Sequence, residues 1–281
     1  MNNSQFKKYQ FKKFCLAIQR QPDRLQKIID TLEIRYIEWT EQKFKASGEL
    51  KTFKDGTVKE RQFMAPKFNL KAIQAAINTN ILSALSFPQN VHGGVKKKNN
   101  ITNAISHKGK KYRFYTDLQD FYPNINNDTV FKTLLSAKFN QHWAYWITLL
   151  CTRKYQLPQG APTSNSLANL AFTSTDTRLI SFSIKNNLTY TRYVDDITIS
   201  SPTDFRDLTV EIINIITEGG FKVNYRKTKY GIDDTITGIK VFNNLIDAPK
   251  RIKDLVKQEN IDSTESKPYT DYFNRIRKAN V

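Results

Sequence analysis

Cysteine, histidine and acidic residues are all scarce in this chain. Its 281 residues include two cysteines, Cys15 and Cys151, and three histidines, His92, His107 and His142. These residues lack companions at metal-ligand spacing, which excludes a zinc finger and a disulfide scaffold. No uninterrupted apolar run is long enough to cross a bilayer, and no basic amphipathic helix stands out, so a membrane is not an expected partner. Met1 to Lys8 shows no apolar core of a secretory signal, and the expectation is a soluble, cytoplasmic protein. Repeats, low-complexity tracts and long Gly/Ser/Pro linkers are absent, which argues for one continuous, lobed unit.

The shortage of acid is the more informative deficit. Asp and Glu number 26 against 44 Lys and Arg, a formal net charge of +18. Such an excess attracts polyanions, and nucleic acid is the natural partner.

Against this basic background, a few acids stand in unexpected places. Tyr112-Arg113-Phe114-Tyr115-Thr116-Asp117-Leu118 and Tyr190-Thr191-Arg192-Tyr193-Val194-Asp195-Asp196-Ile197-Thr198-Ile199 each set carboxylates among aromatic and β-branched residues that favour strands. A carboxylate at a buried strand end is costly unless it is paired or ligates a cation, and three converging acids repel one another. Taken alone, Asp195-Asp196 reads as a hairpin turn, and Asp233-Asp234 after Gly231 supplies a comparison in a polar turn. Taken with Asp117, the pattern fits the nucleotide-transfer chemistry in which two divalent ions about 3.5–4 Å apart hold the attacking and leaving oxygens. Asp117 and Asp195 would bridge the ions and Asp196 would assist. Mg2+ suits such oxygen-rich sites, with Mn2+ as a substitute.

The remaining pattern is mixed. Phe11 to about Phe44 suggests helices, with Leu25, Ile28, Ile29, Leu32 and Ile34 near helical spacing. Lys51 to Phe63 reads as a hairpin turned at Asp55-Gly56, and Leu70 to Leu85 as a helix after Pro66. A basic loop, Gly93-Gly94-Val95-Lys96-Lys97-Lys98, leads to the first acid-bearing strand. Asp120-Phe121-Tyr122-Pro123 breaks that strand, Asn127 can cap a helix to Leu135, and a second helix covers His142 to Cys151. After the Gln159-Gly160-Ala161-Pro162 turn, Ser164 can cap a helix carrying Leu167, Leu170 and Ala171. Asp207 to Thr217 is helical in pattern, Phe221 to Asn224 resumes as strand, and the last forty or so residues read as a short hairpin with charged helices. Strands brought together from distant segments beneath helices predict an α+β fold.

Several ordered segments resemble the reverse transcriptases, specifically the retron type and its relatives among bacterial antiphage-defence enzymes. Over roughly residues 60–245, Arg61-Gln62-Phe63-Met64-Ala65-Pro66 resembles the family's fingers motif and Thr116-Asp117-Leu118-Gln119-Asp120-Phe121-Tyr122-Pro123 its first catalytic motif. Leu157-Pro158-Gln159-Gly160-Ala161-Pro162-Thr163-Ser164, Tyr193-Val194-Asp195-Asp196 and Gly220-Phe221-Lys222-Val223-Asn224 with Lys227-Thr228 resemble the motifs that follow. Asn103-Ala104-Ile105-Ser106-His107 and Ile236-Thr237-Gly238 resemble the retron signatures, while Val194 stands where retrons usually have alanine.

The resemblance implies a right-hand polymerase with fingers, a palm built on an antiparallel sheet and a short thumb. Residues 1–95 and 124–157 would form N-terminal helices and fingers, 96–123 and 158–243 the palm, and 244–281 the thumb and C-terminal helices. It implies Asp117, Asp195 and Asp196 as catalytic metal ligands. Arg61, Asp120, Phe121, Tyr122, Gln159 and Lys227 would meet the nucleotide, Tyr122 excluding a ribose 2′-hydroxyl, Arg61 pairing with the triphosphate and Lys227 serving the leaving pyrophosphate. Asn103, His107, Lys96, Lys97 and Lys98 would contact RNA, with a structural histidine as the alternative for His107. The implied partners are a structured noncoding RNA as template and primer, the DNA product, dNTPs and a separate effector protein. Two other readings stand beside it: a template-independent or protein-primed DNA polymerase of an abortive-infection system, and a catalytically inactive RNA-binding scaffold.

Overall fold

A computed structural model describes residues 3–44, 48–53, 55–261 and 267–280. In chain order the first elements are α1 (Asn3–Ala17), α2 (Pro22–Ile29), β1 (Tyr36–Gln42), β2 (Glu60–Pro66) and α3 (Phe68–Asn80). They are followed by α4 (Asn100–Ile105), β3 (Tyr112–Asp117), α5 (Asn127–Ser136), α6 (Gln141–Cys151) and α7 (Ser164–Lys185). The hairpin strands β4 (Thr189–Tyr193) and β5 (Asp196–Ser201) come next, then α8 (Thr209–Glu218) and the short strands β6 (Lys229–Gly231), β7 (Thr235–Ile236), β8 (Ile239–Val241) and β9 (Ile246–Asp247). Two helices, α9 (Lys250–Ile261) and α10 (Pro268–Lys278), complete the described chain. The chain divides into two compact units, Met1–Ser86 with Tyr122–Ala171 and Phe87–Phe121 with Phe172–Val281.

The first unit is largely helical. Phe14 of α1 lies edge-on to Trp143 and beside Trp146 of α6, with ring centroids 5.4 Å apart in both pairs, so aromatic packing joins the two helices. The buried Gln74 of α3 donates to Tyr36 Oη at 3.0 Å and to the Leu150 carbonyl at 2.8 Å, tying α3 to the start of β1 and the end of α6. The helical reading of Phe11 to Phe44 fails beyond Ile34. Tyr36 to Gln42 is instead a strand, antiparallel to β2 in the register Tyr36↔Pro66 to Gln42↔Glu60. Its aromatic and β-branched residues find partners across a ladder that local spacing does not reveal. The turn at Asp55-Gly56 forms, with Gly56 at φ 86°, where glycine meets no steric penalty. Beyond it, β2 pairs with β1. Asn126, one residue earlier than expected, caps α5 by accepting from Thr129 N at 2.8 Å. Ser164 is the first residue of α7 and its hydroxyl donates back to the Pro158 carbonyl at 2.6 Å.

The second unit is built on a four-stranded antiparallel sheet of order β4-β5-β3-β6. Its centre, β3 and β5, pairs from Tyr112↔Ser201 to Asp117↔Asp196. β5 is buried at every position after Asp196. The helix α8 buries Ile212, Ile215 and Ile216, and Phe121, Phe172 and Phe221 form a ring cluster with centroids 4.5–5.9 Å apart. The expected strand at Phe221 to Asn224 reduces to a bridge between Val223 and Leu118. The chain turns there, Lys227 N donating to the Asn224 carbonyl at 2.9 Å, and strand pairing resumes only at Lys229. A second sheet of order β7-β8-β9 packs its Ile236, Ile239, Val241 and Ile246 with Ile101 and Ala104 of α4 and Ile276 of α10. The short α4, unforeseen after the basic loop, is held by a capping box between Asn99 and Thr102.

Candidate active site

Strand pairing gathers the acids. Asp117 ends β3 directly opposite Asp196, the first residue of β5, and Tyr193↔Asp196 closes the β4–β5 hairpin around a turn of Val194 and Asp195. The Asp195 carbonyl accepts from Leu118 N at 2.9 Å, and the Asp117 carbonyl accepts from Asn224 N at 2.8 Å, so the end of β3 is tied to the Asp195 turn on one side and to the Asn224 segment on the other. Val194 has φ 60°. A β-branched residue in the left-handed region costs on the order of 1–3 kcal/mol and persists only where its surroundings impose it.

The electrostatics are those of crowded anions with one cation inserted. Partial desolvation, then the charges of Asp195 and Asp117, push the Asp196 carboxyl up to about 6, while Lys227 opposes the shift; the side chain still reaches solvent. Lys227 Nζ donates to both Asp117 oxygens, at 2.9 and 2.7 Å. Asn224 Nδ2 also donates to Asp117 Oδ1, at 3.4 Å. Among the described residues no group of three or more His, Cys, Asp or Glu side chains is closed around a metal-sized space. The donor set nevertheless fits a divalent cation: the ligands are hard oxygens, their charges repel, and an ammonium already occupies a cation position on Asp117.

The other expected site residues divide. Lys96 and Lys97 are exposed, whereas Lys98 is half-buried and donates to the Gln89 carbonyl. Asp120 is exposed at φ 47°. Phe121, expected at the nucleotide, is buried in the ring cluster with Phe172 and Phe221. Asn103 and His107, expected at RNA, are also buried. His107 bridges Ser200 Oγ on β5 at 2.6 Å and Thr191 Oγ1 on β4 at 2.7 Å. Burial, followed by the neighbouring charges of Arg113, His92 and Lys110, pushes its pKa down to about 3, so it is neutral. His107 thus ties the end of α4 to β4 and β5, and neither its side chain nor that of Asn103 is exposed. In the first unit, Arg61 lies exposed on β2 beside the Phe63 ring, its guanidinium 6.0 Å from the centroid. Tyr122 Oη donates to Asn165 Oδ1, and Gln159 is half-buried in a turn completed by Gly160 at φ 93°.

Sequence reasoning missed Asn224 as a partner of Asp117, and Gly93, where a Cβ would be driven into the backbone nitrogen of Val194. The glycine pair was visible in the basic loop, but its approach to the acid turn was not.

A family model for reverse transcriptase (RNA-dependent DNA polymerase) matches residues 52–264. The chain belongs to the reverse transcriptase family. Its curated relatives include the retron Ec86 reverse transcriptase of Escherichia coli, 31% identical over 73% of this chain and 62% of that one. The retron Se72 reverse transcriptase of Salmonella heidelberg (strain 579083-10) is 36% identical over 52% of this chain and 39% of that one. The retron Mx65 reverse transcriptase of Myxococcus xanthus is 29% identical over 66% and 49%. The chain is thus a retron-type member, and it spans less than two thirds of the length of these relatives. The α+β architecture and the antiparallel sheet carrying the acids are those of the right-hand polymerase fold. No helix among the described residues is long and apolar enough to cross a membrane.

Proposed function

We propose that this protein is an RNA-directed DNA polymerase that copies a cognate noncoding RNA into DNA within a bacterial antiphage-defence system. The observation that carries the reading is the pairing of Asp117 with Asp196 across β3 and β5, with Asp195 in the adjoining turn. Family membership and the retron relatives support the RNA-directed polymerase, and the charge of +18 supports a nucleic-acid partner.

Asp117 and Asp195, with Asp196 beside them, would hold two Mg2+ ions. Those ions, when bound, activate the primer hydroxyl and neutralise charge on the leaving pyrophosphate. Asp117 would give up its Lys227 partner on binding a cation, leaving the Lys227 ammonium to neutralise or protonate the leaving pyrophosphate. Tyr122 is the proposed sugar gate, its ring set by the hydrogen bond from its hydroxyl to Asn165. Arg61 is the proposed triphosphate contact, since a guanidinium pairs with two phosphate oxygens. Lys96 and Lys97 offer exposed charge to the RNA backbone.

The test is incorporation of deoxynucleotides by purified protein with Mg2+ on an RNA template with a primer, and with RNA that copurifies with it. Asp195→Ala with Asp196→Ala is expected to abolish incorporation and to leave RNA affinity within about twofold, because the acids face metal and not phosphate. Absence of synthesis by the unaltered protein on its own RNA would support the binding scaffold instead.

A further inference from the structure

The turn that carries Asp195 is gripped by a charge buried behind it. Arg192 of β4 and Asp176 of α7 are both fully buried. Arg192 Nε donates to Asp176 Oδ1 at 2.9 Å and Nη2 to Oδ2 at 2.7 Å, a two-pronged pairing. Tyr190 Oη donates to the same Asp176 Oδ1 at 2.6 Å. The remaining prong, Nη1, reaches forward and donates to the Val194 carbonyl at 2.8 Å. The guanidinium lies against the Phe172 ring, 4.7 Å from its centroid.

That carbonyl belongs to the peptide joining Val194 to Asp195. Rotating the peptide plane would swing the Asp195 side chain, and Val194 at φ 60° is strained enough to relax if released. The backbone of Arg192 is itself fastened: its N donates to the Asn90 carbonyl at 2.9 Å and its carbonyl accepts from His92 N at 2.8 Å. Gly93 then fits against the Val194 nitrogen, where no Cβ is tolerated. A fully buried ion pair is weak support for stability, because apolar residues of similar volume commonly serve as well. Its third donor, aimed at the strained peptide, gives the pair another purpose.

We propose that Arg192, held by Asp176, is a positioning residue that orients the Val194–Asp195 peptide and so aims the Asp195 carboxylate. The inference rests on the proposed nucleotidyl-transfer reading. Asp176 fixes the plane of the guanidinium, and the guanidinium fixes the turn.

Two variants test it, Arg192→Lys, which retains charge for Asp176 but has no fork to reach Val194 as well, and Arg192→Met with Asp176→Leu, which replaces the pair by apolar side chains. Each is assayed for melting temperature, for kcat and KM with a dNTP, and for Mn2+ binding followed by electron paramagnetic resonance. The expected result is kcat lowered by about 10–100-fold with KM for dNTP changed by less than about twofold, as a misaimed reactive group produces. Mn2+ binding weakens in the same variants while melting stays within a few degrees of the unaltered protein. Folded variants with unchanged kcat and Mn2+ binding would overturn the inference. So would losses that track a collapse in melting temperature, or failure of both variants to fold, since the pair would then be structural only. If the unaltered protein itself incorporates nothing, the proposed function falls, while Mn2+ binding, which needs no turnover, still decides whether the pair aims Asp195.

Discussion

Replacing Lys227 with methionine keeps the length of the aliphatic stem and deletes the ammonium held at 2.7 and 2.9 Å from the Asp117 oxygens. Two unit charges about 3 Å apart attract by roughly 5 kcal/mol at an effective dielectric near 20. The Lys227 side chain is 59% exposed, however, so solvent screening and the entropy of holding a long side chain reduce the net to the order of 1 kcal/mol. A divalent ion on Asp117 has to displace that ammonium. Its removal is therefore expected to tighten Mn2+ binding by about 1 kcal/mol, roughly fivefold in Kd. The metal-free variant is expected to lose a comparable amount of folding stability, because Asp117 is left facing Asp196 without its cation. Titration of Mn2+ by electron paramagnetic resonance, above the Asp196 value of about 6, reads the first effect, and thermal melts with and without Mn2+ read the second. Unchanged or weaker Mn2+ binding by the folded variant would refute the view that Lys227 stands in a cation position. Incorporation by the same variant is expected to slow even as metal binds more tightly.

Other outcomes follow from the same geometry. Because the Asp196 carboxyl is raised to about 6 from 3.8, its stabilising protonated form is present at low pH, and the metal-free protein is expected to lose stability as pH rises through about 6. Asp196→Asn should remove that part of the pH profile in chemical-denaturation curves. His107→Leu leaves the Ser200 and Thr191 hydroxyls without their bonds to the ring and is expected to cost about 1–3 kcal/mol in denaturation, with RNA affinity unchanged. Tyr122→Ala is expected to raise ribonucleotide incorporation relative to deoxynucleotide, and an unaltered preference in single-nucleotide assays would count against the gate. Gly93→Ala is expected to cost about 1–3 kcal/mol by overpacking Val194, measured by melting, and to lower kcat.

The acids were legible because strand chemistry is local: β3, β4 and β5 are rich in aromatic or β-branched residues, and β3 ends and β5 begins at a carboxylate. Most helices were equally plain from spacing. What could not be read was whatever depends on a distant partner. Tyr36 to Gln42 continued an apparently helical run, and only β2, beyond an intervening arm, makes it a strand. Asn126 and Asn127 are chemically equivalent caps until the backbone chooses one. Phe121, Asn103 and His107 sit in segments that resemble functional motifs, yet their burial is decided by α7, β4, β5 and the turn after β7. Arg192 and Asp176 look unrelated along the chain, and the pairing appears only when α7 lies against β4.

The cluster that joins Ile101 and Ala104 to Ile276 spans nearly the whole length of the second unit's sequence. During synthesis, α4 would leave the ribosome with its apolar face uncovered until α10 followed. Asn280 adds a late fastening, its side chain bonding both N and O of Ile246. The apolar cluster of the second unit is therefore closed only once Ile276 and Asn280 have been made, and chains cut short before Ile276 would be clients for chaperones and proteases.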